Sequence, residues 1–206
     1  MTKIITFIVL LVVSAVTAQG SFEKGMQEAL QTWKTGNSKE AIAKFERIAS
    51  AEKQNILPNY YLTLINTLEA FSSKDKKEMK VLIERAQMAQ DKMNSVLPDD
   101  PEVLVLQAMI HTAWIMYDPM VNGRQLSGVV LNIYKMAEDI APNNPRVVLN
   151  KAEFEIGMAQ YLGHNTKAMC AKITKSIELF ANFKPETSFH PNWGLDRAEE
   201  ALQKCK

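Results

Sequence analysis

The sequence predicts an all-α chain in which about four antiparallel helix hairpins and a C-terminal capping helix wind into one right-handed superhelical solenoid. Three observations carry that expectation. Apolar residues recur at helical spacing along almost the whole chain, prolines return at a nearly constant interval, and a second set of breakers divides each interval in two.

The N-terminal stretch stands apart from this rhythm. Lys3 is followed by the apolar run Ile4 to Val13, broken only by Thr6, and then by the small residues of Ser14 to Ala18. That order is the secretory pattern, and the apolar run is shorter than the roughly 20 residues that span a bilayer. Residues 1–18 therefore read as a cleavable signal peptide and residues 19–206 as one helical repeat domain. No cysteine follows the cut to carry a lipid, and no second membrane-length apolar run occurs. The expected product is exported, periplasmic or extracellular, without stable membrane insertion.

With 47% hydrophobic residues and only eight glycines and eight prolines, the chain has the material for a substantial core. Its 24 basic and 23 acidic side chains nearly balance, so neither nucleic acid nor an anionic membrane is implied as a partner.

Pro58, Pro98, Pro142 and Pro185 are separated by 40, 44 and 43 residues. Around two of them the sequence nearly repeats: Leu97-Pro98-Asp99-Asp100-Pro101-Glu102 is echoed by Ala141-Pro142-Asn143-Asn144-Pro145-Arg146. Here a proline stops one helix, Asp100 or Asn144 caps the next, and Pro101 or Pro145 takes the first helical position, where a missing N–H costs nothing. The second breakers are Thr35-Gly36-Asn37, Ser72-Ser73, Asp118-Pro119 through Gly123, and Gly163-His164-Asn165.

Each resulting hairpin carries two apolar stripes. The first sets Phe22, Met26, Ala29, Leu30 and Trp33 against Ala41, Ile42, Phe45 and Ile48, with Ser38 expected as the N-cap. The second sets Tyr61, Leu62, Ile65, Leu68 and Phe71 against Met79, Leu82, Ile83 and Ala86. In the third, Val103 to Tyr117 is apolar nearly all round, which predicts a helix covered on most sides. The fourth sets Leu149, Ala152, Ile156 and Ala159 against Met169, Ile173, Ile177 and Phe180. Finally, Ala198, Ala201 and Leu202 alternate with charged residues in a helix whose outer face is polar, as the end of a repeat stack requires, with Trp193 packed beneath it.

The residues Ala29, Thr35-Gly36-Asn37, Ala41 and Phe45 resemble the core of a tetratricopeptide repeat, in which small residues sit where two helices cross and an aromatic wedges between them. The later hairpins are longer than that repeat, so the resemblance is to a degenerate, tetratricopeptide-like protein. Through Leu97-Pro98-Asp99-Asp100-Pro101-Glu102 and the ending Pro191-Asn192-Trp193-Gly194, the chain also resembles uncharacterised exported helical-repeat proteins of bacteria.

Candidate chemistry is sparse. His111, His164 and His190 show no metal-binding spacing, and no nucleophile or phosphate-loop signature occurs, so no catalytic, cofactor-binding or metal site is expected. Two cysteines in an exported chain favour a Cys170–Cys205 disulfide, with a pair of buried thiols as the alternative. Met116 and Met120, flanking Asp118-Pro119, and Met158, before Gly163, either fill gaps between helices or form an adaptable apolar surface.

The expected function is non-catalytic binding of a protein or peptide partner in the concave groove of the solenoid. The tetratricopeptide register implies Glu23, Met26, Leu30 and Trp33 as groove residues, continued by Glu102, Met109, Arg146 and Glu153. One alternative is an exported enzyme or accessory subunit built around His111, Tyr117, Asp118 and Arg124 at an irregular loop from Asp118 to Arg124. Another is a structural component of an envelope assembly.

Overall fold

A computed structural model of the chain describes residues 20–205, so the signal-peptide reading of residues 1–18 lies outside the described residues. Within them the chain forms nine helices and no strand. These are α1 (20–34), α2 (Ser38–Ala51), α3 (Leu57–Ser72), α4 (Lys76–Asn94), α5 (Pro101–Tyr117), α6 (Pro119–Ile140), α7 (Pro145–Tyr161), α8 (Lys167–Asn182) and α9 (Leu195–Gln203). The pairs α3/α4, α5/α6 and α7/α8 pack as hairpins, α2 leans on α3, α4 on α5, and α9 closes the stack against α8.

The helix boundaries follow from local chemistry. Asp100 Oδ1 accepts the N–H groups of Glu102 and Val103 at 2.8 and 3.1 Å, and Asn144 Oδ1 accepts those of Arg146 and Val147 at 2.9 and 3.3 Å. Two near-identical sequences thus make the same cap twice. At the first hairpin Asn37, not Ser38, is the cap, its Oδ1 accepting the Glu40 N–H at 3.3 Å. Gly36, at φ +84°, turns the chain early enough that Ser38 is already helical.

The break at Asp118 is shorter than expected. Asp118 is both the C-cap of α5 and the N-cap of α6, its carboxylate accepting the Val121 N–H at 3.2 Å, with Pro119 at the first helical position. Met120 to Arg124 therefore lie in the opening turns of a helix rather than in an irregular loop. A glycine inside a helix costs about 1 kcal/mol relative to alanine, which the cap and the proline start at the same end are large enough to offset.

The main core runs from Met26, Ala29 and Phe45 through Tyr60, Leu64 and Ile65 of α3 and Val103 to Met109 of α5, ending at Val130 and Tyr134 of α6 and Val147 and Phe154 of α7. Smaller clusters join α3, α4 and α5 around Ile83 and Ile110, and α7, α8 and α9 around Leu149, Ile173 and Ala198. α5 is covered on most sides, as its composition predicts. α3 is covered as fully, although it carries Asn59, Thr63, Asn66 and Thr67. Thr63, Asn66 and Thr67 donate to carbonyls one turn back on their own helix, at 2.9, 2.7 and 2.7 Å, so they enter the core with their donors satisfied.

One polar network ties distant helices together. The Arg146 side chain is 1% exposed and its Nε lies 2.8 Å from both oxygens of Glu102, while Nη2 makes a charge contact at 2.7 Å. Glu102 also accepts from Asn144 Nδ2 at 2.6 Å and from the Tyr60 hydroxyl at 3.0 Å. Trp193 Nε1 donates to that same hydroxyl at 2.9 Å, and Phe183 lies under the guanidinium, 4.4 Å from its ring centroid. Helices α3, α5 and α7 and the segment leading to α9 therefore meet at one buried charge pair.

Two devices seat α9. Gly194 holds φ +114°, and a Cβ there would sit 2.7 Å from Phe180 Cζ, so only glycine lets the chain pass this ring. At the other end, Cys205 is disulfide-bonded to Cys170 in the first turn of α8, their Cα atoms 5.9 Å apart.

Candidate ligand cavity

A cavity of about 940 Å³ opens between the α5/α6 hairpin and α7, with α9 along one side. Its wall arises from an imbalance within α6. All three buried residues of that helix, Val130, Tyr134 and Ala137, lie in its C-terminal half, so the N-terminal half overhangs without a core beneath it. Met120, Gly123, Arg124 and Ser127 of this overhang face Met109, Thr112, Ile115 and Met116 of α5 and one side of α7 from Asn150 to Tyr161, with its C-cap Leu162.

The lining is apolar and soft. Met109, Met116, Met120 and Met158 contribute thioethers, and Phe71, Tyr134, Phe154 and Tyr161 contribute rings. Unbranched, polarisable methionine side chains adapt to the outline of a large ligand. The mouth is apolar too: Met116, Met120, Tyr161 and Leu162 are among the most exposed large hydrophobic residues of the chain, Tyr161 at 76%. A monomeric protein seldom leaves so much apolar surface together without a use for it.

Charge enters from three cations, Arg124, Arg197 and Lys204, against one carboxylate, Glu153. Arg197 Nη2 pairs with Glu153 Oε2 at 2.5 Å, and the guanidinium lies over Trp193. Burial holds the Glu153 carboxyl above its ordinary range, although Arg197 and Lys204 pull it down. Burial likewise pushes the Tyr134 hydroxyl up, so it stays a neutral hydrogen-bonding group. Among the described residues no cluster of three or more His, Cys, Asp or Glu side chains suits a metal ion.

The residues expected in a groove are scattered. Met26 is fully buried in the main core, and Arg146 and Glu102 are consumed by their own ion pair, so none of these three presents a groove surface. Trp33 is half-buried, edge-on to Tyr61 with centroids 6.1 Å apart, and Leu30 packs on the same core. Glu23 is exposed on α1, far in sequence from the cavity wall. Met109 and Glu153 do line a concave surface, the cavity described above.

The residues of the enzyme alternative diverge. Only Arg124 reaches the cavity; Asp118 is spent on capping, and Tyr117 packs edge-on against Trp114 beneath Lys76. His111 faces Gln107 at 3.2 Å, and burial lowers its basicity. The methionines Met116, Met120 and Met158, together with Met109, Glu153 and Arg124, are the cavity residues that the sequence singles out; nothing local announces Arg197 or Lys204 as their companions.

No family model matches the chain, and no curated protein matches it. Solved structures do. The chain is similar to the HusA haemophore from Porphyromonas gingivalis, with a TM-score of 0.78 at 21% identity over 90% of this chain and 92% of that one. It is also similar to TTC0263, a thermophilic TPR protein of Thermus thermophilus, with a TM-score of 0.58 at 14% identity over 88% and 99%. At these identities the likeness is one of fold, and the fold is a tetratricopeptide-like stack of helical hairpins.

Proposed function

We propose that this protein is an exported, non-catalytic carrier of a haem-class macrocycle, held in the cavity between α5, α6 and α7. The cavity itself carries the reading. Its volume, about 940 Å³, is at the upper end of the range for small-molecule sites, and its methionine and aromatic walls suit a large planar apolar ring. The fold it shares with a haemophore supports the same class of ligand. Export is supported by the secretory pattern of residues 1–18 and by the Cys170–Cys205 bond, since disulfides persist in oxidising compartments.

The wall offers a bound haem burial first and coordination second. The thioethers of Met109, Met116, Met120 and Met158, the hydroxyls of Tyr134 and Tyr161 and the Glu153 carboxylate are its metal-capable atoms, and no histidine is among the described residues of the wall. Apolar contact with the ring and charge at its edge are what these side chains supply. A peptide along the concave face keeps fewer of its expected contacts, because Met26, Glu102 and Arg146 are committed inside.

The test exploits Gly157, which lines the cavity and has nothing within 4 Å of where a Cβ would stand. Haemin added to the mature chain should give a saturable shift of its Soret band. Gly157→Trp should fill the cavity and abolish that shift while helical content and melting temperature hold. Absence of saturable binding by the unaltered protein, or full binding by the filled variant, would refute the proposal.

A further inference from the structure

We propose that Arg124, Arg197 and Lys204 form an anion-reading edge, so that the cavity selects a ligand bearing ionised carboxylates over the same ring without them. This rests on the cavity being the ligand site. The chain as a whole has nearly equal numbers of acidic and basic groups, yet the cavity wall holds three cations and one carboxylate. A local excess of this sign in an otherwise apolar pocket raises the concentration of anions at its mouth and gives neutral competitors no such advantage.

Arg197, in the first turn of α9, and Lys204, the C-cap of that helix, both reach the cavity. Arg197 is held ready. Its Nη2 is fixed by Glu153 and its guanidinium rests over Trp193, but Nη1 is buried and has no acceptor among the described residues. A buried guanidinium donor favours whatever acceptor enters beside it, and a carboxylate gives the strongest bond. Lys204 has no ion pair within 4.0 Å among the described residues, and neither has Arg124 on the opposite wall. Lys204 is placed by the neighbouring Cys205–Cys170 bond, which keeps the end of α9 from fraying away from the cavity. The ligand therefore lies with its apolar body between the methionines and its acidic edge toward α9 and Arg124.

Metal-free protoporphyrin IX and its dimethyl ester, titrated into the mature chain by tryptophan fluorescence quenching, separate the possibilities. The diacid should bind at least about tenfold tighter than the diester, and the gap should narrow as salt screens the charges. Arg124→Gln and Lys204→Gln, both exposed side chains outside any ion pair, should each shrink the gap by several-fold without moving the melting temperature. Saturable binding of diacid and diester with equal affinity would overturn the inference and leave the cavity reading standing. Binding of neither would overturn both.

Discussion

The buried pair of Glu102 and Arg146 sets up the sharpest stability prediction. Glu102→Ala removes the carboxylate that Arg146 Nε meets at 2.8 Å on both oxygens, and leaves Asn144 and the Tyr60 hydroxyl without an acceptor. The side chains of Arg146 and Glu102 are 1% and 16% exposed, so water does not readily replace what is lost. Breaking a buried pair from one side typically costs about 3–5 kcal/mol, because a charge is left uncompensated. Since Glu102 retains a little exposure, the expected loss is near the lower bound, about 3 kcal/mol. Removing both charges behaves differently. Glu102→Leu with Arg146→Met takes away the desolvation cost along with the attraction, and should cost far less than Glu102→Ala alone. Urea unfolding followed by circular dichroism, with the disulfide intact, measures each variant. A loss below about 1 kcal/mol for Glu102→Ala, the scale of a surface pair, would refute the reasoning and mean that solvent reaches Arg146 after all.

Two further outcomes follow from the same structure. Cys170→Ala opens a loop closed across a separation of 35 residues, for which chain entropy gives about 4 kcal/mol as an upper figure; the unaltered protein should show a matching fall in melting temperature when reductant is added, and insensitivity to reductant would contradict it. Glu153 should report pH. Burial raises its folded-state carboxyl above the ordinary value of 4.5, so its contribution to stability is fully present below that value and is lost as pH rises through the raised one. Melting temperatures of the unaltered protein should therefore fall relative to Glu153→Gln as pH rises from mildly acid to neutral, and parallel curves would count against the burial argument.

Much of the architecture is legible along the chain because its causes are local. Paired signals such as Asp100-Pro101 and Asn144-Pro145 stop and start helices through groups a few residues apart, and both caps form as those residues dictate. Where the local signal is ambiguous, the structure departs from it. Gly123 has the composition of a loop, but a capped start at Asp118 and Pro119 carries the helix straight through it. The cysteine pair needs only two residues and a compartment to be expected, and the structure joins them.

Periodicity tells which face of a helix is apolar, and that belongs to the sequence by itself. Which neighbour covers that face, and where cover is missing, depends on how helices far apart in the chain come together. So Thr63, Asn66 and Thr67 have the polarity of solvent-facing residues, yet packing encloses α3 and each donates to a carbonyl of its own helix. Arg146 and Glu102 have the charge of groove residues, and nothing short of the packed α5/α7 interface reveals that they face each other. The cavity is the same kind of fact. Its methionines are visible in the sequence, but the space they surround exists because the first half of α6 overhangs α7 and because α9, seated by Gly194 at its start and the disulfide after its end, carries Arg197 and its C-cap Lys204 to the edge, and both are decided by tertiary structure alone.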